Sequence, residues 1–482
     1  MKKELVVYFL ILLPVFLISA KPEKKYNNEK YRPQYHFTTE KNWLGSPAGF
    51  LYYEGEYHLF YEYNPKGLTP ANFNLGHAVS ADLVHWDYLP VAITPDNDSD
   101  DSLMCTAFSG SVVVDENNVL GKQKGDNKTI VIFYTSYHCG QRIAYSNDKG
   151  RTWVKYSGNP VIPYQQDDAE NPRVFWYKPS GKWVMVLSRM PEGDKKNQGV
   201  SIYNSDNLVD WKFESHLPGI ADNPDLIELP VDNNPNDMRW ILISGDGVYV
   251  IGSFDGKTFT PQSGKLVSDF GKNYYASQTC SNIPEKDGRT IQIAWMKDGQ
   301  FPDMPFKGQM TFPCELGLRT SGRNILLVRQ PVKEIEALHD KSYHWQNRDI
   351  IPGINDNILK KLRGNCFDIK GTFDLKTADS FGFMLRDSKK NPGIELLYEV
   401  GRQVLSCLGN DVTVIPSAGK LSLEILVDRT SLEVFANNGQ FVMSFSIAPP
   451  EGNNEMILFT HGGELMVQKL DAYKMHSIWR DK

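Results

Sequence analysis

The sequence predicts an all-β protein in which a five-bladed β-propeller is followed by a C-terminal β-sandwich. Strand-like apolar runs recur about fifty to seventy residues apart through the first two thirds of the chain. Most of these runs are followed by a polar turn that ends in an aromatic residue. Past the repeat, apolar and polar residues still alternate, but the turn is absent. A chain of 482 residues exceeds one small core, so two domains are expected.

The repeat consists of five runs rich in β-branched and aromatic residues, as is typical of strands. The runs begin at Tyr57, Ile130, Lys182, Arg239 and Thr290. The polar turns span Ser80–Trp86, Ser146–Trp153, Ser205–Trp211 and Ser253–Phe259. Asp and Gly favour the bend, and the large ring closes it. Five such units with almost no helical periodicity predict a propeller over residues 21–335, whose central channel is the expected ligand pocket.

The second domain is predicted over residues 336–482. Pro331–Leu338 is interpreted as a short helix or a linker. Alternation is clearest over Leu421–Phe435, and Asn437-Asn438-Gly439 predicts a hairpin turn before Phe441–Phe445. Strands of this kind without the blade turn favour a β-sandwich.

The first 20 residues have the pattern of a secretory signal peptide. Lys2 and Lys3 precede an apolar run over Val6–Ile18, and Ser19-Ala20 follow it as small residues at a cleavage site. The run is short for a membrane span, although an uncleaved anchor is the alternative. We therefore expect a secreted or periplasmic protein with no stable membrane span after signal cleavage.

The cysteine pattern and the charge exclude several functions. None of the six cysteines forms a Cys-x-x-Cys pair, so no zinc site is indicated. Export permits disulfides, and Cys366 and Cys407 could form one because both lie in the second domain. The net charge of -6 and the absence of a basic run argue against a nucleic-acid partner. No cofactor is predicted.

Several short motifs follow one another along the chain: Phe60–Pro65, Gly76–Trp86, Phe108–Ser111, Asp269–Gly271, Tyr275–Thr279, Gln292–Met296 and Ser431–Gly439. Taken in order, they resemble those of glycoside hydrolase family 32, the invertase, inulinase and levanase family, and the resemblance extends over residues 33–475. It implies the same two-domain architecture and a pocket on the propeller axis for a terminal β-fructofuranosyl unit. Family members retain anomeric configuration by using one carboxylate as nucleophile and another as acid and base.

Three positions that carry the family's chemistry are substituted in this chain. Ser46 stands where the resemblance implies the Asp nucleophile, and a hydroxyl without a base is a poor nucleophile. Asn171 stands at the Asp of the Arg-Asp-Pro stabiliser, and Asp222 at the Glu acid/base. Gly45 and Ala48 replace two Asn residues of the first motif. The standard retaining set is therefore absent.

Two carboxylates are gained at the same places. Glu62 replaces a Gln of the family's second motif, and Glu170 replaces the Arg of Arg-Asp-Pro. Asp222, Glu62 and Glu170 are therefore the candidate reassigned catalytic acids, and their crowding should raise at least one pKa, as a general acid requires. Alternatively, Glu170 turns outward to pair with Arg173 and Glu62 only accepts hydrogen bonds.

Two classes of function follow from these changes. The first is a glycoside hydrolase with a rearranged acid/base set, acting on fructosides or a related glycan. The second is a non-catalytic fructan-binding member of the family. A third and weaker hypothesis has the three acids binding Ca²⁺, but no loop has calcium-binding spacing, and we predict no metal site.

In either of the first two classes, the expected partner is a fructose-containing oligosaccharide or polysaccharide. The candidate sugar-binding residues are Trp43, Phe108, Ser109, Asn171 and Trp295. Rings offer flat apolar faces to sugars, but Trp43 could equally be a wall of the first blade and Trp295 a core residue.

Overall fold

A computed structural model describes residues 27–96, 105–165, 169–220, 222–353, 357–450 and 452–479. The described residues are almost entirely β-structure. Three short 3-10 helices occur among them, at Pro191–Gly193, Lys195–Asn197 and Lys333–Leu338, and the last lies in the segment interpreted as a short helix or a linker. The predicted signal peptide, residues 1–20, lies outside the described residues. No helix in the described ranges combines the length and the apolar character needed to cross a membrane.

The N-terminal part contains twenty-two of the described strands. They are β1 (Asn42–Tyr53), β2 (Glu56–Asn64), β3 (Asn74–Ser80), β4 (Asp87–Ile93), β5 (Phe108–Asp115), β6 (Thr129–Ser136), β7 (Gly140–Ser146), β8 (Val154–Lys155), β9 (Glu170–Tyr177), β10 (Lys182–Arg189), β11 (Gly199–Ser205), β12 (Lys212–Pro218), β13 (Asp225–Val231), β14 (Asn234–Ile243), β15 (Val248–Phe254), β16 (Phe259–Pro261), β17 (Leu266–Val267), β18 (Tyr274–Thr279), β19 (Thr290–Met296), β20 (Phe306–Lys307), β21 (Cys314–Ser321) and β22 (Asn324–Pro331).

The pairing of these strands divides them into five antiparallel units. The first four units are β1–β4, β5–β8, β9–β12 and β13–β16, and the fifth is β18-β19-β21-β22. A parallel bridge between Val231 and Leu318 joins the last two units, and β20 pairs with β1. The first strands lie side by side around the axis, with β1 contacting β5 and β18. Residues on β1, β5, β9, β13 and β18 therefore face a common centre.

Each repeated feature of the sequence, the apolar run and the polar turn, occupies a fixed position within a unit. The five apolar runs form the second strands, β2, β6, β10, β14 and β19. The polar turns link the third strand to the fourth in the first four units. In three of them the closing Trp donates its indole N–H to a carbonyl of the turn, 3.0–3.1 Å away: Trp86 to Leu83, Trp153 to Gly150 and Trp211 to Leu208. The predicted ring therefore closes the turn by a hydrogen bond as well as by packing.

The C-terminal part is a sandwich of two antiparallel sheets. Its strands are β23 (His339–Ile350), β24 (Phe367–Asp374), β25 (Ser380–Asp387), β26 (Ile394–Glu399), β27 (Val404–Cys407), β28 (Asn410–Thr413), β29 (Lys420–Val427), β30 (Ser431–Ala436), β31 (Phe441–Ser446), β32 (Glu455–His461) and β33 (Leu465–Met475). One sheet has the order β23-β33-β24-β29-β30-β31 and the other β28-β27-β26-β25-β32. Inward-facing residues such as Phe373, Phe383 and Leu421 fill one core between the sheets.

The clearest alternating stretch of the sequence is two strands in the structure. β29 ends at Val427 and β30 begins at Ser431, because the intervening segment turns the chain. The predicted Asn437-Asn438-Gly439 turn does connect β30 to β31, and all three residues have positive φ. A Cβ on Gly439 would lie 1.9 Å from the Arg329 carbonyl oxygen of β22, so this turn needs glycine to pack against the propeller.

A buried ionic cluster joins the two domains. His36, which precedes β1, lies 2.9 Å from an Asp428 carboxylate oxygen through Nδ1 and 2.7 Å from Glu433 through Nε2. Burial opposes protonation of the ring, but hydrogen bonds to the two carboxylates outweigh burial and raise the His36 pKa to about 9. His36 therefore links the propeller to the sandwich as a cation at neutral pH.

The suggested Cys366–Cys407 disulfide is wrong. Cys366 and Cys407 are buried free thiols in different clusters, Cys366 at the domain junction and Cys407 between the sandwich sheets. A disulfide instead joins Cys105 to Cys139, with 5.3 Å between their Cα atoms. It ties the segment before β5 to the turn between β6 and β7, two places that are close only because β5 and β6 pair.

Candidate functional site

The candidate catalytic residues line one cavity of about 560 Å³ at the centre of the propeller. Glu62 on β2, Glu170 on β9 and Asp222 just before β13 all face it. Ser46 and Asn171, at which the resemblance implies catalytic carboxylates, line it as well. These residues lie up to 176 positions apart in the sequence (222 - 46). They meet because the first strands of the five units are arranged in a ring around the propeller axis.

Aromatic rings form one wall of this cavity. Phe108 packs edge-on against Phe73 at 5.1 Å, Phe73 against Trp43 at 5.5 Å, and Trp43 against Trp295 at 5.9 Å between ring centres. Tyr275 continues the series, 6.3 Å from Trp295. The structure therefore places the three predicted rings, Trp43, Phe108 and Trp295, in one continuous series of ring contacts along the cavity wall.

The first motif is rearranged around Gly45. A Cβ at this position would lie 2.2 Å from the Trp43 ring and 2.6 Å from Glu62 Oε2. Because neither neighbour leaves room for a side chain, Gly45 allows both Trp43 and Glu62 to occupy this corner of the pocket. The Ser46 backbone N–H donates to Glu62 Oε2 over 3.3 Å. The Glu62 carboxyl thus lies next to Ser46.

Burial perturbs the Glu62 carboxyl strongly. Its side chain is buried, and burial is the largest cause that raises its pKa, to about 8. The backbone N–H groups of Ser46 and Ser109 oppose the rise, while the negative charges of Glu170 and Asp222 add to it. The expected pKa rise from crowding therefore occurs, but desolvation contributes more than the neighbouring charges. Glu62 holds its proton at neutral pH.

Asp222 has a different environment, in which three neutral donors surround its carboxylate. Asn171 Nδ2 and Asn223 Nδ2 donate to Oδ1 over 3.2 and 3.0 Å, and the Tyr275 hydroxyl donates to Oδ2. Burial, followed by the hydrogen bond and charge of Asp222, raises the pKa of Tyr275 far above its usual range, so the phenol keeps its proton. The Lys297 ammonium lies 4.1 Å from the Tyr275 ring centre.

Asn171 is held in place and retains a free acceptor among the described contacts. Its backbone N–H donates to Thr135 Oγ1 over 3.1 Å, and its side-chain N–H₂ faces Asp222. Its buried Oδ1 has no hydrogen-bond partner within the described structure. The Trp295 indole N–H is also buried without one. Both residues line the cavity.

Arg173 does not serve as the partner proposed for Glu170. Its Nε lies 2.8 Å from Asp225 Oδ1, and its other nitrogens donate to Ser281 and Thr279. This network joins β9 to β13 and β18 beneath the pocket. Arg173 therefore fixes the relative position of first strands, and Glu170 lies on the cavity wall instead.

One residue predicted to bind the ligand, Ser109, does not line the cavity, and three residues near Asp222 and the rings were not predicted. Ser109 is buried beside the cavity and does not line it, but its hydroxyl donates to Asn223 Oδ1 over 3.3 Å and so supports a neighbour of Asp222. Asn223, Tyr275 and Phe73 were missed as site residues. Asn223 directly follows Asp222 and Tyr275 begins the Tyr275–Thr279 motif, whereas no sequence signal marks Phe73.

The carboxylates do not form a metal cluster in this structure. Within the described residues, no group of three or more His, Cys, Asp or Glu side chains is arranged to bind a metal ion. The cavity is lined by four acidic residues and two lysines together with amide, phenol and indole donors, a set suited to hydroxyl groups and to proton transfer.

Comparison with known proteins matches nearly the whole chain. The model of the "Glycosyl hydrolases family 32 N-terminal domain" matches residues 36–331, and that of the family's C-terminal domain matches residues 334–474. Levanase of Bacillus subtilis (strain 168) is 38% identical over 528 aligned positions, covering 99% of this chain and 76% of the levanase. The extracellular exo-inulinase of Aspergillus awamori is 32% identical, covering 97% and 98% of the two chains.

A solved structure agrees with these matches. The crystal structure of exo-inulinase from Aspergillus awamori superimposes with a TM-score of 0.84 at 29% identity, covering 94% of this chain and all of that one. The propeller-and-sandwich architecture is thereby confirmed. Together with the matches along the sequence, it establishes that this chain belongs to glycosyl hydrolase family 32.

Proposed function

We propose that the protein is an exported hydrolase of fructosides whose acid and base roles have moved to Glu62 and Asp222. One observation carries this proposal: two carboxyl groups share a pocket but lie in opposite environments. Burial keeps Glu62 protonated, whereas three neutral donors surround the Asp222 carboxylate. Pairs of acids in contrasting environments are how glycosidases separate acid from base.

The proposed reaction follows from those two groups. Glu62 donates its proton to the glycosidic oxygen, and the C–O bond to the leaving sugar breaks. A water molecule attacks the anomeric carbon and gives its proton to Asp222. With Ser46 in place of a carboxylate nucleophile, direct attack by water inverts the anomeric configuration. Asp222 then releases its proton to solvent, and Glu62 takes one up.

The remaining cavity residues would bind the sugar. Asn171 Oδ1 and the Trp295 indole N–H would pair with hydroxyl groups, and the chain of rings would cover the apolar face. Glu170, a cavity acid, contributes charge that helps to keep Glu62 protonated. The fructosyl substrate is inferred from the relatives, which are named levanase and exo-inulinase.

An Asp222→Asn substitution tests this assignment. We expect kcat on the best of sucrose, inulin and levan to fall by about a hundredfold or more, because the amide cannot accept the proton of water. Ser46→Ala is the matched control and should change kcat less than about threefold, since the hydroxyl has no role in this scheme. Chromatography of released sugar gives the rates, and early NMR spectra give the anomer formed. Wild-type activity in Asp222→Asn would reject Asp222 as the base.

A non-catalytic fructan-binding protein is the second candidate. It is favoured by the same unpartnered polar atoms and by the loss of charge at Ser46 and Asn171. One experiment with the wild-type protein distinguishes the two functions. If the protein binds a fructan saturably but releases no sugar from any fructoside, only the binding function remains.

Export is supported by the signal-like N-terminus and by the Cys105–Cys139 disulfide, which is typical of oxidising compartments. We expect the protein recovered outside the cytoplasm to have lost residues 1–20. Intact-mass measurement of that fraction checks this, and a chain that retains Met1–Ala20 would contradict cleavage.

A further inference from the structure

A second and much smaller cavity lies where the first strands of the five units meet. Its volume is about 10 Å³, and it shares Asn171 and Asn223 with the central cavity. Every unit contributes a residue to its wall, namely Pro47 on β1, Ser109 on β5, Asn171 on β9, Asn223 just before β13 and Gln278 on β18. We call it the axial cavity.

Interruptions in strand pairing shape the axial cavity. The ladders that join β1, β5, β9 and β18 to their second strands all shift register at the residues that line it. Asn171 has a φ of 59°, in the left-handed region. Because a bulge changes the direction of the side chains next to it, these shifts explain how Asn171 and Gln278 come to line the same cavity.

Two residues of the axial cavity each have a buried amide oxygen without a hydrogen-bond partner. Asn171 is 5% exposed and Gln278 is 8% exposed. Asn171 Nδ2 donates to Asp222 Oδ1, and Gln278 Nε2 donates to the Gly110 carbonyl oxygen over 2.6 Å. Reversing either amide would place two oxygens against each other, so Asn171 Oδ1 and Gln278 Oε1 remain acceptors unpartnered among the described residues. An occupant of the axial cavity must therefore donate hydrogen bonds.

A single water molecule meets these requirements. A cavity of about 10–15 Å³ has room for one water, and water has two protons to donate, one for each amide oxygen. Buried polar atoms are rarely left unsatisfied, so an occupant that satisfies two of them is held firmly. Arg173 also lines the cavity, and its positive charge disfavours a metal cation there.

We propose that the axial cavity binds one internal water molecule, which donates to Asn171 Oδ1 and Gln278 Oε1 and so holds the Asn171 amide with Nδ2 toward Asp222. Gln278 is then a positioning residue that acts on Asp222 through the water and Asn171. An amide oxygen has two lone pairs, so Asn171 can accept from this water and from a sugar hydroxyl at once. The water site follows from the cavity and its two acceptors alone, whereas the role of Gln278 rests on the proposed function.

A high-resolution crystal structure of the wild-type protein tests the water site without an assay. We expect one density peak in the axial cavity, about 2.6–3.2 Å from both Asn171 Oδ1 and Gln278 Oε1. The peak should be lost in Gln278→Met, because methionine is similar in length but has no amide oxygen. A wild-type axial cavity without this density, or with a metal ion in it, would overturn the proposal.

The pH dependence of kcat/KM tests the positioning role of Gln278. In Gln278→Met the Asn171 amide is released and Asp222 loses a donor, so the acid limb of the profile should move toward neutral pH by about one unit, the equivalent of one lost hydrogen bond. Gln309→Met is the matched control. Gln309 is a buried amide that donates to the Thr430 carbonyl and lines neither cavity, so its loss should leave the limb in place even if stability falls.

The outcomes separate the water site from the proposed hydrolase. An unmoved limb in Gln278→Met, or an equal shift in Gln309→Met, would reject Gln278 as a positioning residue. Axial density in a protein that releases no sugar from any fructoside would reject the hydrolase, and with it the role of Gln278, and keep the water site. Release of sugar by a protein without that density would keep the hydrolase and reject the water site.

Discussion

Glu62→Gln should lower kcat by about a hundred- to ten-thousandfold while leaving KM within a fewfold of wild type. The amide has nearly the shape of the acid and still accepts hydrogen bonds from Ser46 and Ser109, but it has no proton to donate. Wild-type kcat/KM should fall as pH rises through about 8, the pKa to which burial raises Glu62. Steady-state kinetics between pH 5 and 10 measure both effects, and a Glu62→Gln enzyme with wild-type kcat would contradict the assignment.

The same substitution has a consequence for stability that does not depend on catalysis. The Glu62 pKa in the folded protein, about 8, lies above its ordinary value of 4.5. The folded state thus binds the proton more tightly than the unfolded state, and the resulting stability is present below pH 4.5 and lost as pH rises through 8. Glu62→Gln removes this loss and should be more stable than wild type at pH 9 by several kcal/mol, on the order of 1.4 kcal/mol per unit of raised pKa. Urea unfolding at pH 5, 7 and 9 measures the difference.

His36→Ala should destabilise the protein by about 3–5 kcal/mol, because it leaves two buried carboxylates without their cation. Asp428 and Glu433 are fully buried, and both accept from the same ring. The comparison is His344→Ala, whose ring is 59% exposed and lies 2.8 Å from Asp471; there we expect less than about 1 kcal/mol. Urea unfolding at pH 7 gives both values, and equal effects would mean that the junction contributes no special stability.

The pH dependence of the junction follows from the raised His36 pKa. Its folded value is about 9 against an ordinary 6.5, so its contribution is complete below pH 6.5 and is lost as pH rises through 9. The difference in stability between wild type and His36→Ala should therefore shrink between pH 7 and 10. A difference that stays constant over this range would show that His36 is neutral in the folded protein.

The architecture was predictable because its signals are local. Each polar turn contains its own bend residues and closing ring, and the Trp86 turn forms from contacts three residues apart. Asn437-Asn438-Gly439 specifies its turn by backbone preference alone. Ser46, Asn171 and Asp222 could likewise be singled out as cavity residues from the sequence, because they lie within short stretches that resemble the family's.

The chemistry of the site depends on contacts between different units of the propeller, which lie far apart in the sequence. No local pattern could show that the Tyr275 hydroxyl meets Asp222, that Arg173 pairs with Asp225, or that Cys105 reaches Cys139. Burial of Glu62 needs Trp43 and the empty position at Gly45, which meet only when β1 and β2 pair. The sequence by itself determined the order of strands, the turns and the candidate residues of the site. Only the tertiary structure decided which of those residues meet and which acid keeps its proton, because desolvation and side-chain pairing arise when strands distant in sequence close around one axis.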